Sequence, residues 1–154
     1  MIQKIRPFLW FNDNAEEAAS FYVSLFPNSK ITHVSRYGEG GPGEPGKAMV
    51  VNFELEGLQF MALNGGPVYE FNNAVSFMVD CAGQEEIDRL WGQLADGGKE
   101  IQCGWITDRF GLAWQIVPTV LGDLLSDPDP EKAGRVMQAM LSMVKLDIAG
   151  LANA

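Results

Sequence analysis

EEIDRLWGQLADGGKEIQCGWITDRFGLAWQIVP, residues 85–118, decides the fold. Its first part reads as a helix over 84–95 that ends at Gly97 and Gly98. Three short strands follow at 99–103, 105–108 and 112–117, with Arg109, Phe110 and Gly111 in a tight turn. Another strand is expected just upstream, at 74–80. The unit is therefore strand, helix, three strands.

The same order occurs earlier in the chain. Residues 4–11 (KIRPFLWF) read as a strand, and Asn14 with Glu17 supplies a capping-box-like start for a helix reaching about Phe26. Ala18, Tyr22, Leu25 and Phe26 recur at helical spacing, so one stripe of that helix should lie on a sheet, and Pro27 and Asn28 stop it. Strands are expected at 30–37, 48–55 and 58–64, the first two separated by the loop GEGGPGEPG, residues 38–46. At one constant offset Phe8 falls on Phe77, Glu16 and Glu17 on Glu85 and Glu86, Tyr22 on Trp91, Leu25 on Leu94 and Lys30 on Lys99. Gly57 and Leu58 fall on Gly111 and Leu112 at a shorter one, because the glycine- and proline-rich loop lengthens the first copy. The expectation is a single domain over 1–154, with a first βαβββ module at 3–66 and a second at 73–118.

The tail differs. Asp129 as cap, Pro130 in the first helical position and the stripe Ala133, Val136, Met137, Met140, Leu141 and Val144 predict an amphipathic C-terminal helix over 128–146.

Composition narrows the function. With 154 residues, 47% of them hydrophobic, the chain is long enough to bury a core. Eleven basic against 20 acidic residues give a net charge of −9, which repels a phosphate backbone and argues against nucleic acid as a partner. No run approaches the roughly 20 apolar residues that a membrane span needs. Cys81 and Cys103 form no C-x-x-C pair, and reduced thiols in a cytoplasmic protein are the expectation.

PFLWFNDNAEEAASFYVSLFPNSKI, residues 7–31, taken with residues 85–118, resembles the PhnB-like group. That group is often labelled the 3-demethylubiquinone-9 3-methyltransferase domain, and it lies within the vicinal oxygen chelate superfamily of glyoxalase I, bleomycin resistance proteins and extradiol dioxygenases. The resemblance spans about residues 3–146. It implies an α+β fold in which two tandem βαβββ modules form cup-shaped mixed sheets, with helices on the convex side and a ligand in the concave one. It also implies modules completed by pairing, here as a homodimer using the tail helix.

The superfamily often holds a divalent metal through His and Glu on the first and last strands of each half. Carried over, those slots fall near Pro7, Met61, Ser76 and Gln115, none a good divalent-metal ligand, and the only histidine, His33, lies elsewhere. No metal is expected. Nor is a nucleotide-type cofactor, because GEGGPGEPG carries two prolines and two acids and is not followed by a helix.

If Pro7 and Ser76 are inward slots, strand alternation turns Leu9, Phe11, Met78 and Asp80 inward and Phe8, Trp10 and Phe77 toward the helices. Gln59, Met61, Leu63, Ala113, Gln115 and Val117 also turn inward, and Trp114 becomes core. Cys103 and Trp105 are expected to close one wall. The pocket candidates are Phe11, Met61, Ser76, Met78, Cys103, Trp105 and Gln115.

No catalytic residue is assigned. Cys103 lacks an evident histidine partner, Asp108 reads as a turn acid, and the paired acids lie at helix starts, where the helix dipole favours them. The expected function is binding of a small organic molecule in a metal-free cup. Two readings stand beside it: a superfamily enzyme of lyase, isomerase or dioxygenase type or the methyltransferase of the label, and a bleomycin-resistance-type sequestering protein.

Overall fold

The computed structural model describes residues 2–154, divided into two compact units, Met1–Glu70 and Phe71–Ala154. The first runs β1 (Phe8–Phe11), α1 (Ala15–Leu25), β2 (Lys30–Arg36), β3 (Ala48–Leu55) and β4 (Leu58–Asn64). The second runs β5 (Ser76–Cys81), α2 (Gln84–Ala95), β6 (Lys99–Glu100), β7 (Trp105–Thr107) and β8 (Ala113–Pro118), then α3 (Leu121–Leu125), α4 (Pro130–Ser142) and α5 (Ile148–Ala152). Each unit holds a four-stranded mixed sheet, ordered β1-β4-β3-β2 and β5-β8-β7-β6. In both, the strand before the helix pairs in parallel with the last strand of the module. The α+β doubled-module fold and the C-terminal helix are therefore present.

In the first unit α1 buries Ala18, Ala19, Tyr22 and Leu25 against the sheet. Tyr22 meets Phe53, which stacks on Phe60 with ring centroids 5.2 Å apart. The cap is not the one expected: Asn14 occupies the N-cap position without a side-chain bond, and the Ala15 N–H donates instead to Asn64 Oδ1 at 2.8 Å. A residue at the end of β4 thus satisfies the helix start.

The face assignment of β1 also needs correction. Phe8 pairs with Met61 and Trp10 with Leu63, and residues paired across a sheet share a face. Leu9 and Phe11 therefore lie beneath α1, 6% and 3% exposed, whereas Phe8 and Trp10 stand on the opposite face. Placing Pro7 rather than Phe8 beside Met61 is a slip of one residue, which inverts every side chain of a strand. FLWF is apolar on both faces and so carries no alternation to reveal the slip. The strand is also shorter than 4–11.

In the second unit α2 buries Ile87, Leu90, Trp91 and Leu94, and Phe77 packs on Trp114 at 5.8 Å between centroids. The expected strand at 99–103 shrinks to Lys99–Glu100. Cys103 at φ 58 and Gly104 at φ 83 instead form a turn, closed by the Trp105 N–H donating to the Gln102 carbonyl at 3.0 Å. Two successive left-handed residues cannot continue a strand.

α4 starts as the sequence implies, with the Asp129 side chain accepting from the Glu131 N–H at 3.0 Å and proline in the first turn. It ends at Ser142 rather than 146. The Met143 and Val144 carbonyls accept from the Cys103 and Gly104 N–H groups at 2.8 and 2.9 Å, which requires extended chain there. Val136 is buried with Leu121, Leu146 and Leu151, the short helices α3 and α5 completing this satellite core. Met137, Leu141 and Val144 stay exposed. Gln84 pins the tail to α2, its amide donating to the Leu146 carbonyl at 3.1 Å and accepting from the Ile148 N–H at 2.8 Å.

Candidate functional site

On the second sheet, register sets Trp105, Gln115 and Met78 in one row across three strands, with Thr107, Ala113 and Ser76 in the next. The alternate residues Ile106, Trp114 and Ile116 are buried on the α2 side, so this row lies on the face away from the helix. Gln115 Nε2 donates to Ser76 Oγ at 3.0 Å. Met78, one strand over from Gln115, is 58% exposed. Ser76, Met78, Trp105 and Gln115 thus share one patch, while Cys103 sits in the turn just before β7. Met61 and Phe11 belong to the first unit: Met61 on its open face beside Phe8, Phe11 under α1.

The chemistry of the patch is neutral. The Gln115–Ser76 bond uses one amide hydrogen, leaving the amide oxygen and the serine hydroxyl proton able to orient a ligand. Neither group titrates near neutral pH. As metal ligands the family slots do not fit: Gln115 and Ser76 are bonded to each other, Met61 holds a third, and the register puts Phe8 rather than Pro7 beside it. Among the described residues no three His, Cys, Asp or Glu side chains converge. His33 sits exposed on β2, paired with Asn52.

Cys81 is buried and Cys103 half-buried. Burial pushes the Cys81 thiol up to about 12, and the neighbouring carboxylates of Glu86 and Asp80 add to the shift. The Cys81 thiol is inert as a nucleophile at neutral pH. Asp108 is structural. Its buried carboxylate accepts from the N–H groups of Phe110 and Leu112 at 2.9 and 3.1 Å and from the Trp114 indole at 2.9 Å.

The first unit carries a cleft that the sequence did not announce. It has a volume of about 500 Å³ and is lined by Trp10, Tyr37, Lys47 and Leu63 among others. The loop at 38–46 borders it, reading in sequence only as flexible, and Trp10 reaches it because the register with Leu63 turns that ring away from α1. A tyrosine at the foot of that loop was the one available signal.

The family model of 3-demethylubiquinone-9 3-methyltransferase matches residues 3–117. The chain belongs to this family. A PhnB protein from Bacillus cereus, described under the same methyltransferase name, is 37% identical over 76% of this chain and 100% of its own, with a TM-score of 0.72. Protein PA1353 from Pseudomonas aeruginosa is 26% identical over 76% of this chain and 98% of its own, with a TM-score of 0.63. The fosfomycin resistance protein FosX from Listeria monocytogenes, solved with Mn(II) and sulfate, is 17% identical over 82% of this chain and 98% of its own, with a TM-score of 0.52. That last likeness speaks to the fold alone. No curated protein matches the chain significantly. This family member therefore has the vicinal oxygen chelate fold, and among the described residues no helix is long and apolar enough to cross a membrane.

Proposed function

We propose that this family member binds a small, largely apolar organic molecule on the open face of its second sheet. Met78 and Trp105 supply apolar surface there, and the Gln115–Ser76 pair supplies orientation. The observation that carries the reading is the 3.0 Å Gln115–Ser76 bond beside the exposed Met78. A few placed polar groups in apolar surroundings are what small-molecule sites present.

Methyl transfer in the literal sense of the family name finds no support in the glycine-rich run. It connects β2 to β3 and is followed by a strand, whereas a nucleotide loop opens a helix. The exposed Met137, Leu141 and Val144 support pairing of two copies, and light scattering reporting a monomer at micromolar concentration would remove that part.

Thermal-shift screening against quinols, aromatic antibiotics, aldehyde–glutathione adducts and S-adenosylmethionine tests the site, since a ligand of the folded state raises the melting temperature. The expected hit is an uncharged or weakly polar aromatic whose affinity falls about tenfold in Gln115→Ala, the loss of one to two ligand hydrogen bonds. A hit indifferent to both Gln115→Ala and Ser76→Ala overturns the assignment. A stoichiometric divalent ion lost on Gln115→Ala overturns the metal-free reading.

A further inference from the structure

The cleft of the first unit has a chemistry of its own, built from two rings that the backbone holds still. The Trp10 indole N–H donates to the Gly66 carbonyl at 2.9 Å, and the Tyr37 hydroxyl donates to the Asn64 carbonyl at 2.6 Å. Gly65 lies flush against the Trp10 ring and Gly43 against the Tyr37 ring, where any Cβ would collide with ring carbons. Tyr69 adds an edge contact to Trp10 at 4.9 Å between centroids. With the polar atoms of both rings committed to main-chain carbonyls, π surface and ring edge are what they offer a ligand.

The charged groups lining the same cleft are Asp13, Glu44 and Lys47, two acids and one base. The Lys47 ammonium stands 3.7 Å from the Glu44 carboxylate with both side chains exposed, a weak and screened pair. The positive end of α1 opposes a cation near Asp13. Its first N–H is taken by Asn64, and Glu16 and Glu17 stand in its first turn, Glu16 paired with Arg36 at 3.0 Å. The balance is negative, within a chain of net charge −9.

We infer that this cleft binds a small organic cation, an alkylated ammonium on a compact apolar body, through the fixed rings of Trp10 and Tyr37 and the carboxylate of Asp13. Alkylated ammonium groups are drawn to aromatic faces and carry little hydration to lose. A phosphate or carboxylate ligand meets the wrong sign of charge. The lining residues of this cleft all belong to the first unit, and the inference does not rest on the patch proposed on the second sheet.

Calorimetric titration of the full chain with choline and with its uncharged isostere 3,3-dimethyl-1-butanol tests the inference. Choline is expected to bind saturably, at least about threefold tighter than the isostere, and Asp13→Asn is expected to weaken it by a similar factor, the scale of one cation–π or ion-pair contribution at a partly exposed site. Gln115→Ala is expected to leave choline binding unchanged while impairing ligands of the second sheet. Equal affinity for the isostere overturns the inference. So does the absence of saturable choline binding up to about 10 mM, beyond the range of a specific small-ligand site. Binding lost in Gln115→Ala and retained in Asp13→Asn places the cation in the second unit and also overturns it.

Discussion

The two units repeat one strand order, yet each is locked by a different buried polar side chain. In the first, Asn64 at the end of β4 accepts from the Ala15 N–H at 2.8 Å and donates to the Ala48 carbonyl at 2.9 Å, tying helix start and strand start to the strand end. In the second, Asp108 between β7 and β8 accepts from Phe110, Leu112 and Trp114, all within six residues of it. One lock reaches 49 positions back along the chain, the other closes a turn. A repeated topology thus does not demand a repeated keystone. It demands only that each buried polar group be paired.

The largest expected effect breaks the local lock. Asp108→Ala leaves the Trp114 indole and the Leu112 N–H without an acceptor in the core, and about 3 kcal/mol of stability should be lost, read by urea denaturation followed through tryptophan fluorescence. A loss below about 1 kcal/mol, the scale of a single ordinary hydrogen bond, makes the turn self-sufficient and ends the parallel with Asn64.

Asn64→Ala follows, with about 2 kcal/mol expected, since both groups it strands are neutral backbone ones. The same denaturation series checks it. Asn64→Ala proving the more damaging of the two sharpens the comparison in the opposite sense, making the long-range lock the stronger.

The smallest effect separates the units by pH. Both cysteines lie in the second unit. The Cys81 thiol rises from an ordinary 9.0 to about 12 in the fold, chiefly by burial and then by Glu86 and Asp80. With the folded value raised, the unfolded chain releases its proton first. The contribution is intact below pH 9.0 and is lost as pH climbs toward about 12. Cys81→Ala should flatten the fall in melting temperature over that window, whatever it does to the melting temperature at neutral pH. An unchanged slope means that Cys81 does not contribute to alkaline unfolding.

Legibility followed the range of the interactions. The helix at 84–95 and the turn acid Asp108 were readable because their determinants lie within a few residues: an acidic start and a glycine stop for one, D-x-x-G for the other. The face of β1 was not readable, since FLWF is apolar at every position and only the register with Met61 and Leu63 selects a side. Cys103 read as strand because β propensity ignores the tail, whose Met143 and Val144 carbonyls capture the turn. On the candidate patch, Gln115 and Ser76 are far apart in sequence, and their 3.0 Å bond exists only because β5 pairs in parallel with β8. The cleft beside Trp10 and Tyr37 was invisible for the same reason, as its walls come from a strand, a loop and the segment after β4.

By itself, then, the amino-acid order determined the doubled βαβββ plan, the helix of each module, the start of the tail helix and the lack of strong metal-ligating residue types at the slots, all consequences of residue type and short-range spacing. The tertiary structure decided which side of β1 meets α1, where the tail helix stops, and which aromatic rings stand fixed around a cleft. Those outcomes depend on strand register and on backbone groups finding partners dozens of residues away, and no local pattern encodes either.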